Sequence, residues 1–175
     1  MTDGKLVYTV FGDGSFAALT FDGKVAWTNR SYPFYSQHGL GTSPLLHDGL
    51  LVTPWDASSD GADKLVGWQK PWDKSFVLAL DAKTGKEVWN FQIEDQIRCS
   101  PTVVEGRCFV AGCDARLHII DLEKGKGLTA VDIDGPTMAT PAAVGASTYF
   151  GTEQGTAFSI NWKTAKKNWD VRIDE

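Results

Sequence analysis

The sequence predicts an all-β fold, a β-propeller segment of about four four-stranded antiparallel blades with the first blade incomplete. The phrase Ala-Leu-Asp-Ala-Lys-Thr-Gly-Lys-Glu-Val-Trp at residues 79–89 recurs in part at residues 22–27, 121–125 and 161–169. Short runs rich in Val, Phe, Ile and Thr alternate with Gly/Asp turns, which is typical of hairpins. No stretch shows helical periodicity. Four strands in about 40 residues correspond to one propeller blade.

The first blade is predicted at about residues 5–30 and begins one strand late. Its three strands are expected at residues 6–11, 15–21 and 25–29. Asp3-Gly4 occupies the place that the turn Glu105-Gly106 has in the third repeat. The strand that opens the other blades is therefore missing from this one.

The second blade, at about residues 40–93, carries an insertion. A Ser/Thr-Pro pair opens each full repeat, and Pro44 lies 57 positions before Pro101, whereas the next repeat is 40 residues long. The surplus falls at residues 54–74, after a strand that ends near Thr53. The third and fourth blades lack such a surplus and are expected at about 97–134 and 137–175.

Composition and charge narrow the classes of function. The 175 residues are 42% hydrophobic and 22% charged, which is typical of a folded domain with a core. The net charge is −5 and no Lys/Arg cluster occurs, so nucleic acid is not expected as a partner. No run approaches the ~20 apolar residues of a membrane-spanning helix. Residues 1–5 lack the charged-then-apolar pattern of a signal peptide.

The three cysteines are expected to be thiols. A two-residue hairpin turn at Glu105-Gly106 pairs residues whose numbers sum to 211, so Cys108 faces Val103. Cys99 then lies four positions out of register, roughly 13 Å away at the rise of a strand. A disulfide requires Cα atoms within about 7 Å, and Cys113 points to the other face of the sheet.

The repeat resembles that of the quinoprotein (PQQ-like) β-propeller family over nearly the whole chain. The resemblance is strongest at Asp81, Thr84, Gly85, Lys86 and Trp89. It weakens where Thr129 stands in place of Trp, and where Asn161 and Ala165 replace Asp and Gly. The family includes quinone-dependent dehydrogenases and a non-enzymatic outer-membrane assembly lipoprotein, and the chain resembles the second type more closely.

This resemblance implies structural roles for the residues of the repeated phrase. Trp27, Trp89 and Trp169 would be docking tryptophans packed between neighbouring blades, and Asp81 and Gly85 would belong to the same structural motif. The chemistry agrees, because an indole buries a large area and its N–H can donate to a backbone carbonyl of the next blade.

No catalytic, cofactor-binding or metal-binding residue is predicted. The dehydrogenases of the resembled family use calcium, a catalytic Asp and often a disulfide between adjacent cysteines, and this chain has no adjacent cysteine pair. Asp56, Asp60 and Asp63 lack the alternating spacing of a calcium loop. His38, His47 and His118 are expected to lie at the surface or at the edge of a cavity rather than to bind metal.

The insertion is the candidate binding surface. Long loops in compact domains are usually functional or disordered, and this one mixes aromatic and charged residues as interfaces do. The candidate residues are Trp55, Asp56, Trp68, Lys70, Trp72 and Asp73, together with Tyr35 and His38 of the preceding connection. The alternative is that both segments pack on each other as a lid over the blade junction.

The sequence favours a non-catalytic scaffold or binding module for a protein or polymer, without a cofactor. The alternative is part of a PQQ- and calcium-dependent alcohol or sugar dehydrogenase. An incomplete propeller exposes sheet faces and edges, so we expect an open arc or half of a larger ring. The arc would belong to a ring of about eight blades, or two chains would complete each other as a homodimer. The resemblance implies a periplasmic or other extracytoplasmic location.

Overall fold

The computed structural model describes residues 1–34, 43–56 and 73–173, and these residues form fifteen β-strands and no helix. Within that part of the chain, no helix is long and apolar enough to cross a bilayer. The strands form four antiparallel sheets, which confirms the predicted all-β blade architecture. The chain divides into two compact units, Met1–Glu94 and Asp95–Glu175.

The N-terminal unit contains blades 1 and 2, whose strands follow one another in sheet order. Blade 1 consists of β1 (Leu6–Val10), β2 (Phe16–Thr20) and β3 (Val25–Asn29). Blade 2 consists of β4 (Leu45–His47), β5 (Leu50–Trp55), β6 (Phe76–Asp81) and β7 (Glu87–Gln92). One hydrophobic core, centred on Phe16, Trp55 and Leu78, is shared by the two blades.

The C-terminal unit contains blades 3 and 4, built in the same strand order. Blade 3 consists of β8 (Thr102–Val104), β9 (Arg107–Ala111), β10 (Arg116–Asp121) and β11 (Gly127–Asp132). Blade 4 consists of β12 (Ala142–Val144), β13 (Ser147–Gly151), β14 (Thr156–Asn161) and β15 (Lys166–Arg172). The hydrophobic core of this unit joins Phe109 and Ile119 of blade 3 to Phe158 and Trp162 of blade 4.

The hairpin turn that opens blade 3 sets the register of its first two strands. Glu105 and Gly106 have φ values of 47° and 70°, as the two central residues of a type I′ turn require. Val103 pairs with Cys108 and Val104 with Arg107, which confirms the register predicted from the sequence.

Blade 1 has three strands, and the first residues of the chain lie along the start of β1. The backbone N–H of Tyr8 donates to the carbonyl of Met1 at 2.8 Å, and Thr2 forms an isolated bridge with Val7. The carboxylate of Asp3 accepts bonds from the N–H groups of Leu6 and Lys5. These bonds lower the pKa of Asp3 to about 2. Met1 and Thr2 thus stand where the other blades have a full first strand.

The insertion in blade 2 begins later than the sequence predicts, because β5 continues through Pro54 to Trp55. Pro54 pairs with Val77 of β6 although it has no N–H to donate. It is tolerated because β4 pairs only with the first half of β5, at Leu50–Val52. The second half of β5 is thus an edge among the described strands, where proline is acceptable.

All three cysteines are thiols, and none of them forms a disulfide. The thiol of Cys99 donates to the carbonyl of Ala111 at 2.8 Å, and Cys108 is completely buried. Burial raises the pKa of Cys108 to about 12, with a smaller contribution from Cys99. Cys113 is only partly buried.

This difference in burial predicts a single reactive thiol in the native protein. At pH 8 a disulfide reagent is expected to modify Cys113 rapidly, whereas Cys99 and Cys108 react only after the unit opens, because only an accessible thiolate attacks. Counting modified thiols with and without urea measures this, and Cys113→Ser is expected to remove the rapid phase. Equal rates at all three cysteines in the folded protein would contradict the burial described here.

Candidate functional site

Each blade aligns three side chains across its last three strands, and we call this set the docking row. The rows are Tyr8–Ala18–Trp27, Val52–Ala79–Trp89, Phe109–Ile119–Thr129 and Tyr149–Ser159–Trp169. In every blade the strand register shifts immediately after the row. Three rows combine a small central residue with a terminal tryptophan. The third row instead combines Ile119 with Thr129.

Between blades 1 and 2 the docking row ends in a closely fitted tryptophan. The indole N–H of Trp27 donates to the carbonyl of Ala82 at 2.9 Å, and its ring packs on Tyr8. A Cβ added to Gly85 would lie 2.7 Å from Cδ2 of Trp27. Gly85 also has a φ of 69°, which strains any residue with a side chain. Only glycine therefore fits beneath the indole.

The repeated phrase builds the turn against which this tryptophan packs. One carboxylate oxygen of Asp81 accepts bonds from the N–H and the hydroxyl of Thr84, each at 2.7 Å. These bonds, the hydroxyl first, lower the pKa of Asp81. The amide of Asn29 donates to the carbonyl of Gly85 at 2.6 Å and adds a second polar link between the blades. Asp81 thus orders the turn, and the turn presents Ala82 and Gly85.

Between blades 3 and 4 the large ring comes from the opposite side of the junction. Trp162 holds the position in blade 4 that Ala82 holds in blade 2, since each follows the last residue of the third strand. Its ring lies 5.6 Å from that of Phe109, and its N–H donates to the carbonyl of Gly145 at 3.0 Å. The sequence did not predict that the later blade supplies the tryptophan at this junction, although Trp162 lies in the repeated phrase itself.

An open groove of about 550 Å³ remains where blade 3 lacks its tryptophan. The residues that line it are Glu105, Arg107, Ile119, Leu128, Thr129, Trp162, Lys163, Thr164 and Ala165. The ammonium group of Lys163 lies 3.0 Å from the carboxylate of Glu105 and 4.9 Å from the centre of the Trp162 ring. The floor is apolar and the rim is charged.

The other two predicted docking tryptophans differ in exposure. Trp89 is 6% exposed, whereas Trp169 is 46% exposed and has its ring 6.1 Å from that of Tyr149. Trp169 occupies the same row position as Trp27, so the outer strand of blade 4 presents an aromatic side chain to solvent. The docking role of both residues stays a prediction.

Trp55 lies in a buried aromatic cluster, not on a binding surface. It is 1% exposed and stacks on Phe16 and Phe76, with ring centroids 5.4 Å and 6.2 Å away. The edges of Phe34 and Tyr32 meet it at 5.3 Å and 6.2 Å. The preceding connection therefore packs on the base of the insertion, and Trp55 contributes to stability rather than to contact with a partner.

The remaining candidates of the predicted surface begin directly after this cluster. Trp55 and Phe76 are the last residue pair of β5 and β6, so the two ends of the insertion start side by side. Asp56 is partly buried and Asp73 is exposed. Trp68, Lys70, Trp72, Tyr35 and His38 lie outside the described residues.

One polar pair was not predicted from the sequence. Nε2 of His118 lies 2.6 Å from a carboxylate oxygen of Asp114, and both side chains are nearly buried. The signal was their spacing of four residues across the turn between β9 and β10. Residues 1–34, 43–56 and 73–173 contain no group of three His, Cys, Asp or Glu side chains that could hold a metal.

Comparison with known proteins gives a family and several relatives. The family model described as outer membrane protein assembly factor BamB matches residues 73–175. The serine/threonine-protein kinase AfsK of Streptomyces griseus is 29% identical over 145 residues, which is 75% of this chain and 15% of that protein. The 1-butanol dehydrogenase (cytochrome c) of Thauera butanivorans is 29% identical over 127 residues, 64% of this chain and 16% of that protein.

Solved structures show the same fold. BamB from Moraxella catarrhalis superimposes with a TM-score of 0.71 at 17% identity, over 98% of this chain and 50% of that one. A quinohemoprotein alcohol dehydrogenase from Pseudomonas putida has a TM-score of 0.54 at 20% identity, over 73% of this chain and 20% of that one. The chain thus spans half of the BamB structure and a much smaller part of the curated relatives.

Proposed function

This chain belongs to the family of the outer membrane protein assembly factor BamB, and we infer from this that it is a non-catalytic propeller scaffold that binds another protein. The propeller architecture is shared with BamB from Moraxella catarrhalis. A scaffold of this kind holds loops in place at the ends of rigid strands, and binding residues concentrate on such loops.

The aromatic cluster around Trp55 is the observation that supports a binding role for the insertion. The connection between β5 and β6 covers residues 56–75, whereas the equivalent connections in blades 3 and 4 cover only residues 112–115 and 152–155. A long connection costs entropy to order, so a firmly packed base favours function over mere linkage. Five aromatic rings hold that base within the core of the unit.

The chemistry at the two ends of the insertion indicates what kind of partner it binds. Both ends carry an aspartate, Asp56 and Asp73, and the whole chain has a net charge of −5. A surface of this charge attracts a partner with basic or hydrogen-bond-donating groups. Trp68, Lys70 and Trp72 of the insertion would supply anchors of the residue types that interfaces prefer.

The family relationship also supports a cellular location for this scaffold, and its exposed edge indicates how the propeller is completed. The family is named for the assembly of outer-membrane proteins, which takes place outside the cytoplasm, and we propose the same location for this chain. The exposed Trp169 marks the face on which a further blade would dock, either from the same polypeptide or from a second copy in a homodimer.

Site-specific photo-crosslinking tests the proposed surface. A photoreactive amino acid placed at Asp56 or Asp73 is expected to form adducts with a partner protein in the cells that produce this chain. The matched control is Lys83, an exposed residue of the same blade that follows the opposite end of β6. Adducts are read by electrophoresis and mass spectrometry.

A loop replacement completes this test. Exchanging residues 57–72 for a four-residue turn is expected to abolish the adducts from Asp73 while the strand signal in circular dichroism is retained, because β5 and β6 pair up to Trp55 and Phe76. Adducts that form equally from Lys83, or that survive the replacement, would contradict a partner bound by the insertion.

A further inference from the structure

We propose that the groove between blades 3 and 4 is a second binding site, which takes an aromatic side chain next to an acidic residue from a partner polypeptide. This inference goes beyond the proposed function, because it concerns the C-terminal unit and none of the residues of the insertion. It rests on the comparison of two blade junctions within one chain.

The junction of blades 1 and 2 serves as the template for the occupant. There the indole of Trp27 lies over Gly85 and donates its N–H to the carbonyl of Ala82. The third docking row ends in Thr129 at the same register position. At the junction of blades 3 and 4, blade 3 contributes the ring of Phe109 at the start of its row, but the end of the row, where blade 1 has Trp27, carries no ring.

Trp162 does not occupy the position that corresponds to the indole of Trp27. Its indole is 8% exposed and turns inward to Phe109 and the carbonyl of Gly145. About 550 Å³ stays open, within the range of small-ligand pockets. Leu128, 49% exposed, lies on the wall of this opening, and Thr129 is also exposed. The groove is thus continuous with the blade interface and has an apolar wall in contact with solvent.

The replacement of glycine by Ala165 in the blade 4 turn agrees with the loss of the tryptophan from blade 3. Ala165 has a φ of 55° and occupies the turn position that Gly85 has in blade 2. At Gly85 itself, an added Cβ would collide with Trp27. The methyl group fits in blade 4 because blade 3 contributes threonine in place of tryptophan. It adds apolar surface at the side of the groove that faces the missing ring.

Charge at the rim favours an acidic residue beside the aromatic one. The lining contains two cations, Arg107 and Lys163, and one anion, Glu105, and the guanidinium group of Arg107 also lies 3.7 Å from the carboxylate of Asp121. Lys163 and Glu105 form an ion pair in which both side chains are about half exposed, at 51% and 54%. Such pairs contribute little to stability, so Lys163 can turn to a carboxylate of the partner at small cost.

The form of the groove favours a polypeptide over a glycan. Sugars stack on an open aromatic face, whereas the face of Trp162 is nearly buried and lies under the ammonium group of Lys163. An apolar floor surrounded by a charged rim is instead the arrangement in which an aromatic anchor of a protein partner binds.

The test is a titration of the full chain with the peptide acetyl-Asp-Trp-Glu-amide, followed by NMR shifts of the backbone amides. We expect saturable shifts at Leu128, Thr129 and Lys163, and none with acetyl-Asp-Ala-Glu-amide. A filled variant, Thr129→Trp with Trp162→Ala and Ala165→Gly, reproduces Trp27, Ala82 and Gly85 within blades 3 and 4. It is expected to weaken the peptide at least tenfold, because its own indole occupies the groove.

Leu128→Asp provides an independent variant that is expected to fold, because Leu128 is half exposed, and that repels the acidic peptide. It too should weaken binding at least tenfold. Undiminished binding to either folded variant would overturn the proposal, as would equal shifts with the alanine peptide. Shifts of the same amides with a neutral oligosaccharide and not with the tryptophan peptide would also reject it, in favour of a glycan site.

Discussion

Replacing Trp55 with alanine is expected to destabilise the N-terminal unit by about 4 kcal/mol, the largest effect of any single substitution proposed for this chain. The side chain is 1% exposed, and its removal leaves a cavity among Phe16, Phe34 and Phe76. Those rings lose the contacts that stack them, and the cavity collapses only in part. Equilibrium unfolding in urea, followed by near-ultraviolet circular dichroism, measures the change.

Trp169→Ala is the matched control for this prediction, because it removes the same side chain from a position that is 46% exposed. Its expected cost is below about 1 kcal/mol, in the range of surface substitutions with modest packing. A Trp55→Ala variant that unfolds at the same urea concentration as the parent would contradict the core role of Trp55. It would return this residue to the binding surface that the sequence predicts.

Replacing Gly85 with alanine is expected to cost about 3 kcal/mol, for two separable reasons. Its φ of 69° imposes about 1 kcal/mol or more on any L-residue, and the new methyl group would overlap the indole of Trp27, which adds about 1–3 kcal/mol. Gly49→Ala measures the cost of the backbone strain alone. Gly49 lies in the same blade with a φ of 77°, and a Cβ there would meet no atom within 4 Å.

A double-mutant cycle isolates the contact with the indole. In a Trp27→Thr background, Gly85→Ala is expected to cost no more than Gly49→Ala, because threonine leaves room for the methyl group. The pair threonine and alanine is the one found at Thr129 and Ala165 between blades 3 and 4. An equal cost of Gly85→Ala in both backgrounds would show that backbone strain alone, and not the indole, selects glycine.

These two junctions show how one repeat supports two kinds of blade interface. Between blades 1 and 2 the ring of Trp27 reaches forward onto small residues of the next blade. Between blades 3 and 4, Trp162 reaches back onto Phe109, and Ile119 fills the centre of the row where blade 1 has Ala18. Both junctions are closed by apolar contacts, but the outer part of the junction between blades 3 and 4 stays open. A departure from the repeat therefore creates a groove without loss of the blade.

Local chemistry made much of the fold predictable from the sequence. The turn at Glu105-Gly106 determines a register that follows from residue numbers alone, since both central residues take positive φ. The same holds for the thiol state of Cys108, which faces Val103 rather than another cysteine. Strand number, blade length and the position of the insertion depend on neighbours in the chain, and the recurring phrase reports them directly.

Only the tertiary structure decided what the side chains at the blade junctions do. Trp55 has the composition of an interface residue, yet β5 runs on through Pro54 and buries it among rings from both blades of its unit. Trp162 lies in the repeated phrase, but its exchange with Trp27 appears only when Phe109 and Thr129 are seen beside it. The physical reason is that burial is set by side chains distant in the chain, and no local pattern records which of them meet.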